Sequence, residues 1–361
     1  MSILRTAFIL SLAATIVPAT VAAGATDARV DRAVHSAQAG GAGRVSITNP
    51  NGSITVTGTD GGSVRVTMTD QSSGEKTTLP VDAVASAGLD IRPPARTMRG
   101  REVTLDVELP RSGDVTSIVA GSGDVNIHGV TSALQVRCDS GNVRATGIGA
   151  LQLKAGSGDV LVEDSTGSVF VEAGSGSVTA RGVKGDLVVR SGSGDVRVER
   201  SGALVDATVA SGEVVLADVA GDVRIAAISG DVHVDRVTGA VEVGNASGSI
   251  YLTTVGGDID VKTASGDAIV TAEVTGEHKY RIKSMSGDAV LNVCGEPSGF
   301  TATLASYSGD METAFPLNID GTSGSMSRRV VGRFGNGAAQ IQIEAFSGSA
   351  RIAKCRPAAN K

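Results

Sequence analysis

The stretch Ser193-Gly194-Asp195-Val196-Arg197-Val198-Glu199-Arg200 decides how the chain is read. Val196 and Val198 alternate with charged residues, the period-two pattern of a strand with one wet face. The Ser-Gly pair before them supplies a corner, because glycine accepts the positive φ of a tight turn. This corner-then-strand phrase recurs down the chain at Gly123, Gly141, Gly158, Gly176, Gly194, Gly212, Gly230, Gly248 and Gly266. The interval is the same throughout, except that Gly158 comes one position early. Weaker copies lie midway at Gly149, Gly167, Gly185, Gly202, Gly221, Gly239 and Gly257. The chain is therefore built on an 18-residue repeat with two near-equivalent nine-residue halves.

Helix is excluded, since a glycine in every half-repeat would cost about 1 kcal/mol each and the apolar period is two. Val, Ile and Leu favour strands because branched side chains pack on a pleated surface. Strands this short cannot bury an apolar side alone. Stacking equivalent strands in parallel at about 4.8 Å solves that. The chain is thus expected to be all-β, a single parallel β-helix with right-handed 18-residue coils and capped ends. Residues 112–310 form the regular solenoid, roughly ten coils and about 50 Å long. Residues 24–111 form the N-terminal cap and first coils, and 311–361 the C-terminal cap and last coil. After Gly266 the corner glycines spread out, to Gly287, Gly309 and Gly348, and Phe300, Tyr307, Phe315, Phe334 and Phe346 gather there.

Two smaller patterns run with the repeat. Cys138, Ala155, Ala173, Ser191, Ala227, Asn245 and Thr263 form a ladder of small residues, expected to line a narrow inner edge. The residue after each strong-corner glycine runs Asp159, Ser177, Asp195, Glu213, Asp231, Ser249, Asp267, while Asp186, Asp222 and Asp258 stand at the weak corner. Apart from Glu213, the acid thus swaps corner between successive coils, an arrangement expected to limit repulsion of about 1 kcal/mol between neighbouring like charges.

Composition narrows the function classes. The 361 residues include 48 Gly and only 9 Pro, so collagen is excluded, and 41% hydrophobic content excludes disorder. A net charge of −6 argues against nucleic acid as a partner. Arg5, the apolar run Ala7 to Val17 and Val21-Ala22-Ala23 read as a removable signal peptide over residues 1–23. No later segment is long and apolar enough to be an integral membrane span. An exported chain, periplasmic or at the cell surface, is expected.

With its Ser-Gly-Asp-Val repeats, the segment Asn51 to Gly58 (Asn-Gly-Ser-Ile-Thr-Val-Thr-Gly), and Phe315 to Leu317 followed by Arg328-Arg329, the mature chain resembles the bacterial putative-adhesin family of β-strand-repeat proteins. The resemblance implies the repeat architecture and an adhesin-like role. The biochemical role of that family is largely undefined, so it supplies no catalytic or binding residues to carry over.

Specific chemistries fare poorly. Gly156-Ser157-Gly158-Asp159-Val160 has the look of a calcium-binding nonapeptide repeat, but its Asp follows Gly directly and the corner loses its acid in alternate coils. The blander reading is that the corner Ser and Asp bond their own turn amides. A polysaccharide-cleaving β-helix needs convergent carboxylates, and a regular Asp ladder with only Phe170 and Tyr251 in the central coils offers none. A carboxylate cluster in a groove made by an insertion would favour an enzyme, yet residues 112–267 hold no insertion. His35, His128, His233 and His278 lack ligand spacing. No catalytic, metal or cofactor-binding residue is nominated, and no cofactor is expected. Three cysteines leave an odd one. Cys138 reads as a buried free thiol. Cys294 and Cys355 each lie at the same offset from a glycine, Gly287 and Gly348, and could pair. Two or more coil spacings would separate them, however, against a limit of about 7 Å. The function expected is an exported, non-catalytic, monomeric interaction rod whose partner is a surface polymer or an envelope protein; the alternative is a carbohydrate-active or calcium-binding β-helix.

Overall fold

The structure is a computed structural model, and it describes residues 44–61, 64–81, 89–93, 102–112, 116–323 and 328–355. The expected signal peptide and His35 lie outside these residues. The described strands form two 16-stranded sheets, and each coil contributes one strand to each. Strand Leu187–Ser193 in the first sheet turns at Gly194 into Val196–Ser201 in the second. Pairing through the middle of the rod is parallel and in register: Val171 faces Val189, which faces Ala207. Alternate residues of each strand point inward, so Val196, Val198, Val205 and Val214 are fully or almost fully buried. The chain is an all-β parallel solenoid.

The corners hold the stack through three separate devices. At the strong corner Gly194 has φ +117°, and a Cβ built there would overlap the backbone carbonyl of Gly176 one coil below. Both conformation and contact demand glycine. At the weak corner the two demands separate. A Cβ on Gly185 would sit 2.6 Å from the backbone of Gly167, but its φ is not left-handed. The left-handed residue lies two or three positions earlier: Gly147, Asp164, Gly182, Arg200, Asp218, Arg236 and Thr254, with φ between +53° and +67°.

The acidic corner residues are the third device. Asp159 Oδ1 accepts the Ser177 backbone N–H at 2.8 Å, Asp195 Oδ1 that of Glu213 at 2.9 Å, and Asp231 Oδ1 that of Ser249 at 2.8 Å. Asp222 does the same for Ala240 at the other corner. The reading that these side chains satisfy their own turns is therefore corrected. Each reaches the equivalent corner of the next coil, because stacking places that amide directly above the carboxylate.

The small ladder is buried as expected and continues at Ser284, and all of its polar members except Ser191 bond the corner below. Asn245 Nδ2 donates to the Gly230 carbonyl at 2.8 Å, and Ser284 Oγ to that of Gly266 at 3.0 Å. Ser191 Oγ has no partner.

Both ends depart from sequential stacking. Strands Val45–Asn51 and Ile54–Thr59 pair with Thr116–Ser122 and Val125–His128 on one side, and with Leu89–Ile91 and Val103–Pro110 on the other. The first coil in sequence is thus second in space. Val64–Asp70 then runs antiparallel against Val103–Pro110. The other end repeats the plan. Ala339–Ser347 sits between Lys279–Ser286 and Gly299–Ser306, while Ala350–Lys354 sits between Ala289–Cys294 and Met311–Thr313. Arg328–Gly335 covers Gly299–Ser306 in antiparallel fashion. Phe300, Phe315 and Phe334 pack together there with ring centroids 5.2–5.4 Å apart.

This insertion settles the cysteines. Cys294 and Cys355 form a disulfide with a Cα–Cα distance of 4.9 Å. Sequential stacking would have put coils between them, but Ala350–Lys354 lies directly against Ala289–Cys294. Cys138 is a buried free thiol, and burial pushes its pKa up.

Candidate functional site

In-register stacking turns each outward strand position into a row along the rod. On the second sheet one row carries Glu163, Arg181 and Glu199, with Arg181 3.8 Å and 3.2 Å from its two neighbours. The adjacent row brings Val215, His233, Tyr251, Ile269 and Val290 together. His233 stacks on Tyr251 with centroids 4.8 Å apart and planes within 6°, and its Nε2 lies 3.4 Å from Glu213. On the first sheet Lys154 meets Glu172 at 2.9 Å. These half-exposed pairs contribute at most about 1 kcal/mol each, so their main effect is to fix the pattern that the rod shows to solvent.

The described part of the rod also has a groove of about 660 Å³, lined among others by Asp218, Arg236, Thr238, Thr254, Thr271 and Glu273. It opens where coil length changes. Strand pairing between Ile250–Val255 and Ala268–Glu273 stops at Thr253 and Thr271. The next corner glycine, Gly287, then comes three positions later than the repeat requires. The surplus leaves the stack as a flared turn around Gly276, whose φ is +63°. Buried Tyr280 holds that turn from inside, donating its hydroxyl to the Glu273 carbonyl at 3.1 Å, while Asp258 Oδ1 accepts the Lys279 N–H at 3.0 Å. Burial pushes the Tyr280 phenol above its ordinary pKa.

Within the groove Arg236 grips Asp218 through Nε and Nη2, at 2.5 and 3.1 Å, and also meets Asp235. The hydrogen bond from Arg236 holds the Asp218 carboxyl below its usual range, and the same bond raises the pKa of the guanidinium. Thr254 adopts φ +55° on the groove wall. That conformation is rare for a β-branched side chain and costs about 1–3 kcal/mol. The groove thus offers hydroxyls and a paired acid over an apolar floor of Val219, Val237 and Val255.

His278 pairs with Asp258 at 3.3 Å on the flared turn. Among the described residues no group of three or more His, Cys, Asp or Glu could hold a metal ion. At the corner where calcium was weighed, Asp159 spends Oδ1 on the Ser177 amide. The sequence reading missed the groove, although the lengthened step from Gly266 to Gly287 marked it. It also missed the left-handed ladder, because Asp, Arg and Thr stand where only glycine would have advertised it.

Comparison with known proteins follows the repeat. Residues 26–217 and, in an overlapping second match, 182–353 fit the family described as Toastrack DUF4097. The chain belongs to the Toastrack family. The overlap of the two matches is what a short sequence period allows, since a repeat can be aligned in more than one register. A crystal structure described as a putative cell adhesion protein from Clostridium sporogenes ATCC 15579 is similar over 88% of this chain and 94% of that one, at 7% identity and a TM-score of 0.15. No curated protein matches the chain. Among the described residues of this Toastrack protein no helix is long and apolar enough to cross a membrane.

Proposed function

We propose that this Toastrack protein is an exported, non-catalytic interaction rod that binds a repetitive partner, a surface polymer or an envelope protein, through its outward rows. The observation that carries the reading is the in-register run from Val215 through His233 and Tyr251 to Ile269 and Val290. Folding requires only the inward residues of those strands, yet five successive coils present apolar or aromatic groups outward along one line. Each contact to such a row is weak, but a partner with a matching repeat engages several at once and gains avidity without new chemistry. Export is supported by the signal-like leader and by the disulfide, which persists in oxidising compartments.

The groove beside Asp218 and Glu273 favours a carbohydrate-active reading as the alternative. A glycan array, calorimetric titration with Ca²⁺ and a reducing-sugar assay on bound glycans separate the two. Binding of a polymer without cleavage, weakened at least tenfold by Tyr251→Ala with His233→Ala, supports the rod. Release of reducing ends that disappears with Glu273→Gln supports the enzyme and overturns it.

A further inference from the structure

The strong-corner edge carries a contrast that the fold does not need. The residue two places before each corner glycine is exposed through most of the rod. In the first half of the regular coils it is Gly156, Gly174 and Gly192, and Asp139 occupies one coil. Toward the other end the same position runs Ala210, Ile228, Ala246, Ala264, Met285, Phe346 and Tyr307, and the four large side chains are each 43–62% exposed. Met285 aligns beside Phe346, and Phe346 stacks on Tyr307 at 4.7 Å with planes within 3°. Coils with glycine or aspartate there stack equally well, so packing does not call for these large apolar groups.

Charge divides on either side of this ridge. Toward the first sheet lies a row of net positive charge with Arg137, Lys154, Glu172, Arg190, Lys262, Lys283 and Glu344, in which Lys154 and Lys283 already pair with Glu172 and Glu344 at 2.9 and 2.7 Å. Toward the second sheet the row after the corner glycine is acidic, with Asp159, Asp195, Asp231, Asp267 and Asp288. Two such edges can meet about a two-fold axis in two ways. With the axis across the rods the copies run antiparallel and acid faces acid. With the axis along the rods they run parallel, and the basic row of each copy faces the acidic row of the other while the ridges meet coil for coil, apolar at Met285, Phe346 and Tyr307 and acid on acid only at Asp139. The small residues of the first half let the two edges approach closely.

We propose that the strong-corner edge is an interface with a second copy of this chain, forming a parallel two-fold pair of rods anchored by Met285, Phe346 and Tyr307. The sequence alone suggested a single rod; the divided edge argues for two. An edge about 50 Å long and three side-chain rows wide offers on the order of 600 Å² per copy, at the lower bound of stable interfaces. The pair is therefore reversible, with dissociation in the micromolar range.

The test needs no ligand, so its result is independent of the glycan experiment. Sedimentation equilibrium of the mature disulfide-bonded protein across 1–100 μM should show a monomer–dimer equilibrium, weakened about tenfold by Phe346→Asp and weakened by added salt. Phe346→Asp gives up the stack on Tyr307 and sets a carboxylate two residues from Glu344, so Met285→Ser, at a side chain 62% exposed, is the matched variant that should weaken the pair and keep the wild-type melting curve. Ala210→Cys and Ala264→Cys, three coils apart, should each cross-link to itself under mild oxidation, whereas the wild type does not. Only a parallel pair brings both positions opposite their own copies. A monomer at every concentration, a dimer indifferent to Phe346→Asp, self-cross-linking at no more than one position, or binding to lipid vesicles without self-association overturns the proposal.

Discussion

Replacing Gly194 with alanine tests the stacked coils more directly than any truncation. The φ of +117° there is closed to an L side chain, a strain of about 1–3 kcal/mol. The added methyl would also occupy the place of the Gly176 carbonyl. That neighbour is backbone in a parallel ladder and cannot rotate aside, so overpacking contributes about 1–3 kcal/mol more. The expected loss is about 4 kcal/mol, the sum of strain and overpacking. Gly244 is the matched control, since it lies in a strand with nothing within 4 Å of a built Cβ and no left-handed φ. Gly244→Ala should gain about 0.5–1 kcal/mol by restricting the unfolded chain. Urea unfolding followed by circular dichroism near 217 nm gives both values, compared at constant slope. If Gly194→Ala costs under about 1 kcal/mol, below the range for either source of strain, or if Gly244→Ala is as damaging, the coils do not lie on one another as described.

Other outcomes follow from single features. In denaturant the protein should titrate one thiol, Cys138, before reduction and three afterwards. Replacing Cys294 and Cys355 together with serine opens a 61-residue loop and should lower stability by about 4 kcal/mol in the chain-entropy treatment. Ser191→Ala removes a buried hydroxyl that has no partner, and should raise stability by about 1 kcal/mol; a measured loss would mean that the hydroxyl is satisfied. Ser177→Asp combined with Ser249→Asp places carboxylates one coil from Asp159, Asp195, Asp231 and Asp267. The melting temperature should fall, and fall further in about 20 mM than in about 500 mM salt; equal losses at both would remove repulsion as the reason for the alternating acids.

The central coils were legible because their fold is local and periodic. Val196, Val198 and Gly194 say the same thing at every level, and each neighbour repeats it. The carboxylates misled because Asp at a turn most often satisfies its own amides, and only stacking reveals that the amide one coil on lies nearer. The left-handed ladder was silent for a related reason: glycine announces such a position, whereas Arg236 and Thr254 do not. At the ends, periodicity carries no information about order in space. Gly287, Gly309 and Gly348 are unevenly spaced in sequence, yet Gly348 stacks on Gly287 and Gly309 stacks on Gly348. The groove follows from the same loss of period, and the outward rows became readable as surfaces only once the register was known.

Those inserted ends have an energetic consequence. In a sequentially stacked solenoid the last coil has one neighbour, so it frays first and its detachment exposes one open edge. Here the coil formed by Ala339–Ser347 and Ala350–Lys354 has a parallel neighbour on both sides in both sheets. Its release breaks four strand interfaces instead of two, and the bond between Cys294 and Cys355 must be broken for its end to leave. The final coil should therefore exchange its amide hydrogens as slowly as the middle of the rod. In native-state exchange monitored by mass spectrometry, peptides spanning Ile341 and Ile343 should match those spanning Val189, while Asn318–Ser323, at the outer edge of the antiparallel cover, should exchange at least tenfold faster. Fast exchange at Ile341 in the oxidised protein would place the last coil at the end of the stack and remove the inserted topology.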